Sequence, residues 1–164
     1  MSETNPYERY LDGRPLDAIL AATPEALGYA IQTLGPERAA IQPSPGKWSA
    51  AEIVSHLADC EVVFAFRLRQ TLAEDGPTIQ PFDQDKWAAT YSGIPADEAL
   101  RVFSALRGWN LRLIGGALPA AAARPVTHPE RGTMTFQTLV ETMAGHDLNH
   151  LGQIQKLLAA PSAA

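Results

Sequence analysis

The sequence has 164 residues, of which 46% are hydrophobic and 19% charged, as is typical of one soluble globular domain. Its net charge of −5 argues against the basic surface that nucleic acids or anionic membranes attract. A single cysteine, Cys60, excludes an intramolecular disulfide. Residues 1–10 lack the apolar stretch of a signal peptide, and no apolar run is long enough to span a bilayer. We therefore expect a cytoplasmic protein with no membrane and no nucleic-acid partner.

The first two predicted helices differ in how clearly the sequence marks them. The first extends from Leu16 to Leu34, is kinked or split by Pro24, and ends at Gly35-Pro36. A loop rich in proline and glycine then reaches Lys47. The second helix opens with the capping box Ser49-Ala-Ala-Glu52 and ends before Gly76-Pro77. Its inward stripe is spaced by three and four residues and comprises Ile53, Leu57, Cys60, Phe64, Leu68 and Leu72.

About twenty residues without periodicity, Gly76 to Pro95, precede the third predicted helix. That helix spans Ala96 to Leu118, followed by a loop from Pro119 to Gly132. Its expected inward residues are Leu100, Phe103, Leu106, Trp109, Leu113 and Ile114. The fourth helix starts near Thr133 or Thr135 and ends near Ala159. The chain is thus predicted to be all-α, a single four-helix bundle domain over residues 1–164 with its core at about 16–159.

Three histidines stand where the predicted helices need inward hydrophobic residues. His146 and His150 are four residues apart on the fourth helix, so both rings project from one face. His56 lies on the inward face of the second helix, between Ile53 and Cys60. Facing helices of a bundle commonly assemble metal sites in this way. Three imidazoles with one open position suit a catalytic divalent ion, zinc or nickel above all.

The depth of the three histidines along the bundle predicts the helix order. If the second and fourth helices run antiparallel, all three rings fall near one level; a parallel arrangement separates them by ~10 Å or more. Helices two and three must then run parallel, which needs a connection that crosses the bundle. Twenty extended residues reach ~60 Å, more than the ~40 Å of the second helix. The expected order is up-down-down-up, with residues 76–95 as the crossover.

Other polar residues near these histidines are weaker candidates. Asp59 and Glu61 could accept hydrogen bonds from the metal-bound imidazoles, or could be surface carboxylates. Cys60 is expected to be a small buried hydrophobic residue, and Asp147 to point away from the core. Trp48 is expected to pack against the start of the second helix. Pocket-lining candidates are Trp87, Tyr91 and His128, with packing or surface exposure as the alternative for each.

Two segments carry a resemblance to a known family. They are residues 47–61, KWSAAEIVSHLADCE, and residues 143–154, MAGHDLNHLGQI. Together with Trp87 and the loop around His128, they resemble the DinB/YfiT-like superfamily of small bacterial proteins. The resemblance implies an up-down-down-up bundle, a metal bound by His56, His146 and His150, and frequent homodimers. It also implies either hydrolysis or transfer of a low-molecular-weight thiol, since relatives of both descriptions occur.

The sequence therefore leads to a hypothesis of a metal-dependent enzyme acting on a small molecule. The ion would activate a water for hydrolysis, or bind a thiol cosubstrate for transfer to an electrophile. The alternatives are a non-catalytic metal-binding module of a stress response and a purely structural bundle with three core histidines. A zincin-type protease is excluded, because Asp147 stands where that motif has its glutamate.

Overall fold

The computed structural model describes residues 4–160 and contains four long helices that pack on one another. A short helix and a two-stranded hairpin lie in the connections, and a 3-10 turn, Glu8–Tyr10, precedes the first helix. No helix among the described residues combines the length and apolar character of a bilayer crossing. The elements are α1 (Leu16–Ala40), α2 (Ala50–Ala73), α3 (Gln84–Ala88), α4 (Ala96–Ala117), β1 (Pro125–His128), β2 (Gly132–Thr135) and α5 (Phe136–Ala159).

Helix α1 passes through Pro24 without a break and is interrupted at Gly35, where φ is +71°. Of the two alternatives at Pro24, a kink or a split, the split is therefore wrong, and one more helical turn follows Pro36. Because proline has no N–H, the carbonyl of Leu20 has no helical donor. Nη1 of Arg107 donates to that oxygen at 2.9 Å instead. A contact from α4 thus satisfies the buried group that Pro24 leaves free.

Helix α2 begins and ends as its sequence predicts. The hydroxyl of Ser49 accepts from the N–H of Glu52, whose carboxylate accepts from the N–H of Ser49. At the other end, Nε of Arg124 donates to the Thr71 carbonyl at 2.9 Å. Capping at both ends satisfies backbone groups that a free helix leaves to water. These caps fix the position of the helix that carries His56.

The buried face of α4 differs from the predicted one. Trp109 is 62% exposed, whereas Arg107 and Asn110 are almost completely buried. The buried stripe is Phe103, Arg107, Asn110 and Ile114, which also follows helical spacing. Phe103 and Ile114 are buried as predicted, but Trp109 is not. The predicted stripe counted only apolar side chains, and here the inward face also includes charged and amide groups with partners on other helices.

The segment between α4 and α5 contains a β-hairpin where the sequence predicts a loop. Strands β1 and β2 are antiparallel, with Val126 opposite Met134. Gly132 has a φ of +79°, which suits glycine at the turn. The connection from α2 pairs beside β1, since the N–H of Ile79 donates to the Thr127 carbonyl at 2.9 Å. Residues after α2 are therefore held against the hairpin.

The buried hydrophobic residues form two clusters, and the histidines lie between them. On α5 the first cluster ends at Ala144 and the second begins at Ile154. On α2 the clusters meet at Ala58 and Cys60. The polar centre of the molecule therefore has packed apolar side chains on both sides along the helices, which limits how far its side chains can move.

Candidate metal centre

The structure brings together the three histidines that the sequence selects. His56 comes from α2, and His146 and His150 from successive turns of α5. All three side chains are buried, with exposures of 5% or less. Nε2 of His146 lies 3.1 Å from Nε2 of His56 and 3.1 Å from Nε2 of His150. One nitrogen from each ring therefore converges on a single point.

Burial keeps these rings neutral. It lowers the pKa of His56 to about 3, with a further contribution from the nearby His150. Burial also lowers the pKa of His146, assisted by the other two histidines, and that of His150. Neutral imidazole is the form that binds a metal ion. The protonation states are thus those of ligands at neutral pH.

Gln153 sets the tautomer of His150. Oε1 of Gln153 lies 2.9 Å from Nδ1 of His150, so Nδ1 carries the proton and donates it to the amide oxygen. The lone pair of Nε2 is then free on the side of the other histidines. A hydrogen bond of this kind, to the nitrogen away from the metal, is the usual accompaniment of a histidine ligand.

The donor set fits a divalent transition-metal ion. The three ligand nitrogens lie within 4.8 Å of one another. Tetrahedral bonds of ~2.0–2.1 Å place neighbouring ligand atoms ~3.3 Å apart, close to the 3.1 Å contacts found here. Sγ of Cys60 is 3.5 Å from Nε2 of His56 but is not part of this group. Burial raises the pKa of that thiol in the metal-free protein.

Two aromatic rings hold the histidines in place. Trp48 packs on His56 with a centroid distance of 4.8 Å and stacks near His150 at 6.3 Å. Tyr7 meets His146 edge-on at 4.9 Å. Trp48 therefore does more than pack against the start of α2. The contribution of Tyr7 had no sequence signal, because it comes from the segment before α1.

A second buried polar cluster lies directly behind the histidines. Arg107 donates to both carboxylate oxygens of Asp147 at 2.5 and 3.0 Å, and to Glu61 at 2.7 Å. Asn110 donates to the other carboxylate oxygen of Glu61 at 2.9 Å. Burial opposes the charge of Arg107, but the two carboxylates outweigh it and raise its pKa. We call Arg107, Asp147, Glu61 and Asn110 the arginine cluster.

The arginine cluster corrects two expectations. Asp147 does not point away from the core; it is 1% exposed and paired with Arg107. Glu61 does not accept from His56, because its oxygens are taken by Arg107 and Asn110. Asp59 likewise accepts from the hydroxyl of Tyr91, at 2.8 Å, and not from a histidine. Neither of the two carboxylates predicted to accept from the imidazoles, Asp59 or Glu61, has a hydrogen bond to a histidine within residues 4–160.

A cavity of about 310 Å³ opens beside His56 and His146. Its other walls come from the turn before α1, from α2, from the connection after α2 and from the hairpin, and include Tyr7, Arg67, Phe82, His128 and Arg131. His128 is buried and lines this cavity. A larger groove of about 860 Å³ borders α1 and α2 but contains none of the histidines.

The other two predicted pocket residues lie elsewhere. Trp87 packs on Phe82 with a centroid distance of 5.0 Å and does not line the cavity. Tyr91 packs near Trp48 and lines the 860 Å³ groove. Sequence reasoning missed Arg67, although it lies eleven residues after His56 on the same helix and so shares its face. For Arg131 the only indication in the sequence was its place in the predicted loop around His128.

Proteins of similar sequence have been provisionally named as metal-dependent hydrolases. A protein from Oceanobacillus iheyensis, provisionally named a metal-dependent hydrolase, is 29% identical over 113 residues, 68% of this chain and 66% of the relative. A protein from Geobacillus kaustophilus with the same provisional name is 29% identical over 144 residues, 85% and 80% of the two chains. The chain thus spans between about two thirds and four fifths of these relatives.

The solved structure of YfiT from Bacillus subtilis has the same fold. That protein is described as a probable metal-dependent hydrolase with an unusual four-helix bundle topology. The match has a TM-score of 0.80 at 21% identity and covers 87% of this chain and 83% of YfiT. The family profile described as the DinB superfamily matches residues 19–154. The resemblance drawn from the sequence is therefore confirmed, and the chain belongs to the DinB superfamily.

Proposed function

We propose that this protein is a metal-dependent hydrolase of a small molecule, with one divalent ion held by His56, His146 and His150. The observation that carries the proposal is the convergence of three neutral imidazole nitrogens at the wall of a cavity. The provisional names of its relatives point to the same chemistry. Nitrogen donors of this kind favour zinc or nickel.

When bound, a divalent ion at this point would polarise a carbonyl and lower the pKa of water. The chain's own residues orient the ligands and limit access. Gln153 fixes the tautomer of His150, and Trp48 and Tyr7 restrict the rings of His56 and His146. The arginine cluster fixes α5 next to His146 and carries two carboxylates for one guanidinium. Its net negative charge favours a cation in the adjacent centre.

The cavity argues against a purely structural metal site. Structural zinc sites are closed by four protein ligands. Among the described residues only three donor atoms converge, and Sγ of Cys60 is not one of them. A fourth position remains for water or substrate. Transfer of a low-molecular-weight thiol would use the same position, and no described contact favours that reaction over hydrolysis.

The experiment starts with elemental analysis of protein purified without an affinity tag. We expect about one equivalent of zinc or nickel in the wild type and in His128→Ala, the matched control, and very little in His150→Ala. The metal-loaded protein is then assayed with esters and amides, with and without low-molecular-weight thiols. Turnover without thiol supports the hydrolase, and consumption only with thiol supports the transferase. Equal, negligible metal in wild type and His150→Ala would contradict the proposal.

We also infer the up-down-down-up order of the four long helices. Contacts between α2 and α4 move in the same direction along both helices, as in parallel helices. Glu61 contacts Arg107, and further along both helices Arg69 contacts Asn110. Contacts between α1 and α4 run in opposite senses, since Arg107 meets Leu20 and Leu100 lies beside Gly28. Residues 74–95 would then cross the bundle.

A homodimer is the assembly that we propose for this protein. The family resemblance implies it, and the outer faces of the adjacent helices α2 and α4 carry large exposed apolar side chains. These are Val62, Phe66, Val102 and Trp109, each between 48% and 62% exposed. Sedimentation of the wild type should give twice the chain mass, and Phe66→Glu should give monomer. A monomeric wild type would contradict this assembly.

A further inference from the structure

Two arginines line the cavity opposite the histidines without a carboxylate of their own. Arg67 is 7% exposed, and Nη2 donates to the carbonyl of Gln80 at 2.7 Å. Its Nε has no acceptor among the described residues. The side chain of Arg131 forms none of the ion pairs found within residues 4–160. Both guanidinium groups therefore keep unused donors, and both residues line the cavity.

The electrostatics of the cavity agree with this geometry. Burial, followed by the charge of Arg131, lowers the pKa of Arg67 to about 10, so Arg67 remains protonated at neutral pH. Burial and then Arg131 also lower the pKa of His128. The carboxylate that lines the cavity is that of Glu130, which is exposed in the hairpin turn. Two positive charges that repel each other across a cavity create a site for an anion.

His128 supplies a further donor. The N–H of Glu130 donates to its Nδ1 at 3.2 Å, so the proton of the neutral ring resides on Nε2. A buried N–H group thus lines the same cavity as the two guanidinium groups. Guanidinium groups bind carboxylate and phosphate in a bidentate manner, and a neutral N–H donor complements them.

We propose that Arg67 and Arg131, with His128, form an anion-binding subsite, and that the substrate carries a carboxylate or phosphate group beside its hydrolysable bond. This inference rests on the proposed function, because the reacting bond must lie at the three histidines. Arg67 follows His56 on α2 by eleven residues, about three turns or ~16 Å. Helical side chains lean towards the N-terminus, which brings the guanidinium back towards His56. The substrate is accordingly elongated, with its charge at one end and its reacting group at the other.

The test uses hydroxamates, which bind metal ions without being turned over. Monohydroxamates of linear dicarboxylic acids are compared with alkyl hydroxamates of equal length, by calorimetry on zinc-loaded protein. At the best chain length we expect the carboxylate to improve affinity at least about tenfold in the wild type. The improvement should fall below about twofold in Arg67→Gln and Arg131→Gln, and persist in Arg112→Gln, an exposed arginine outside the cavity.

Affinity for the uncharged alkyl hydroxamates shows that each variant is folded and holds zinc. No advantage for the carboxylate at any length in the wild type would overturn the subsite, as would an advantage unchanged in both arginine variants. If zinc does not bind, the proposed function fails, and the subsite is tested separately. Inorganic phosphate and acetate are then titrated into the metal-free protein while the NMR signals of His128 are followed. Saturable binding that is lost in Arg131→Gln supports the subsite, and absence of binding by both anions overturns it.

Discussion

The molecule contains two buried polar centres side by side, and they are built on opposite principles. In the arginine cluster, nearly every donor has an acceptor: Arg107 bonds to two carboxylates and Asn110 completes one of them, and of the cluster's side-chain atoms only Nε of Arg107 is left without a partner within residues 4–160. In the histidine centre, three neutral rings direct nitrogens at one another at 3.1 Å. Because the proton of His150 lies on Nδ1, at least one of these nitrogen pairs consists of two lone pairs with no proton between them.

This difference indicates which centre holds the fold and which binds a ligand. A buried network whose members satisfy one another stabilises a single arrangement of helices. In the histidine centre a proton on His56 or His146 can form a hydrogen bond in only one of the two 3.1 Å contacts, so at least one lone pair still faces another and suits a cation from outside. The two centres share α2 and α5, since Glu61 and His56 lie on the first helix and Asp147 and His146 on the second. The matched cluster therefore holds the unmatched one in position.

The largest effect is expected from removing the cation of the arginine cluster. Arg107→Met would leave Glu61 and Asp147 buried without their partner and the Leu20 carbonyl without its donor. We expect the free energy of unfolding of the metal-free protein to fall by about 3–5 kcal/mol in urea denaturation. Arg101→Met, which removes an exposed pair with Asp97, is the control and should change little. A variant as stable as the wild type would contradict the structural role.

The second effect concerns the histidine centre itself. His56→Ala removes one of three ligands, and we expect zinc affinity to fall by more than about 100-fold in competition with a chromophoric chelator. The metal-free variant should lose less stability than Arg107→Met, because no buried charge is left unpaired. His128→Ala, a buried histidine outside the group of three, is the matched control and should retain zinc. Unchanged affinity in His56→Ala would remove α2 from the centre.

A third measurement, the pH dependence of the free energy of unfolding of the metal-free protein, distinguishes the histidine centre from the arginine cluster. An unfolded histidine has a pKa near ~6.5, whereas burial lowers that of His56 to about 3. Between these values the unfolded state binds more protons, so the free energy of unfolding falls as pH decreases below about 6.5. His56→Gln should reduce this slope by up to about 1.4 kcal/mol per pH unit. Identical slopes in variant and wild type would show that His56 is not kept neutral by the fold.

The smallest effect is expected at the hydrogen bond that sets the tautomer of His150. Gln153→Ala removes the acceptor of Nδ1 without touching a ligand atom. Because Gln153 is exposed, we expect zinc affinity to fall by about tenfold, the low end for such partners. Gln155→Ala, two residues further along the same helix and also exposed, should have no effect. Equal affinities in the two variants would show that water replaces the amide.

Local patterns were enough to predict the four long helices and the convergence of the histidines. The capping box of α2 and the pair His146 and His150 depend on neighbours within one turn, which a sequence displays directly. The position of His56 on the inward face of α2 followed from the same spacing. The inward position of each histidine was predictable because it depends on the geometry of a single helix, and their common level followed from the lengths of the two helices.

What could not be predicted depends on partners from distant elements. Arg107 is buried because Asp147 and Glu61 neutralise it, and nothing within α4 shows that they are near. Asp147 is buried because α5 packs on α1, α2 and the turn before α1, so its buried face is wider than one stripe. The hairpin has strands of four residues, too short for an alternating pattern to be recognised.

The close packing of the turn before α1 on α5 has one more consequence. Gly145 lies against Tyr7 so tightly that a Cβ at this position would be 2.5 Å from the Tyr7 carbonyl oxygen. The ring of Tyr7 in turn covers His146. The turn that contains Tyr7 thus covers one of the three proposed ligands, and Gly145→Ala would displace this cover while leaving every proposed ligand atom in place. Exchange of the ion with a chelator would then become faster, although the ligands themselves are unchanged.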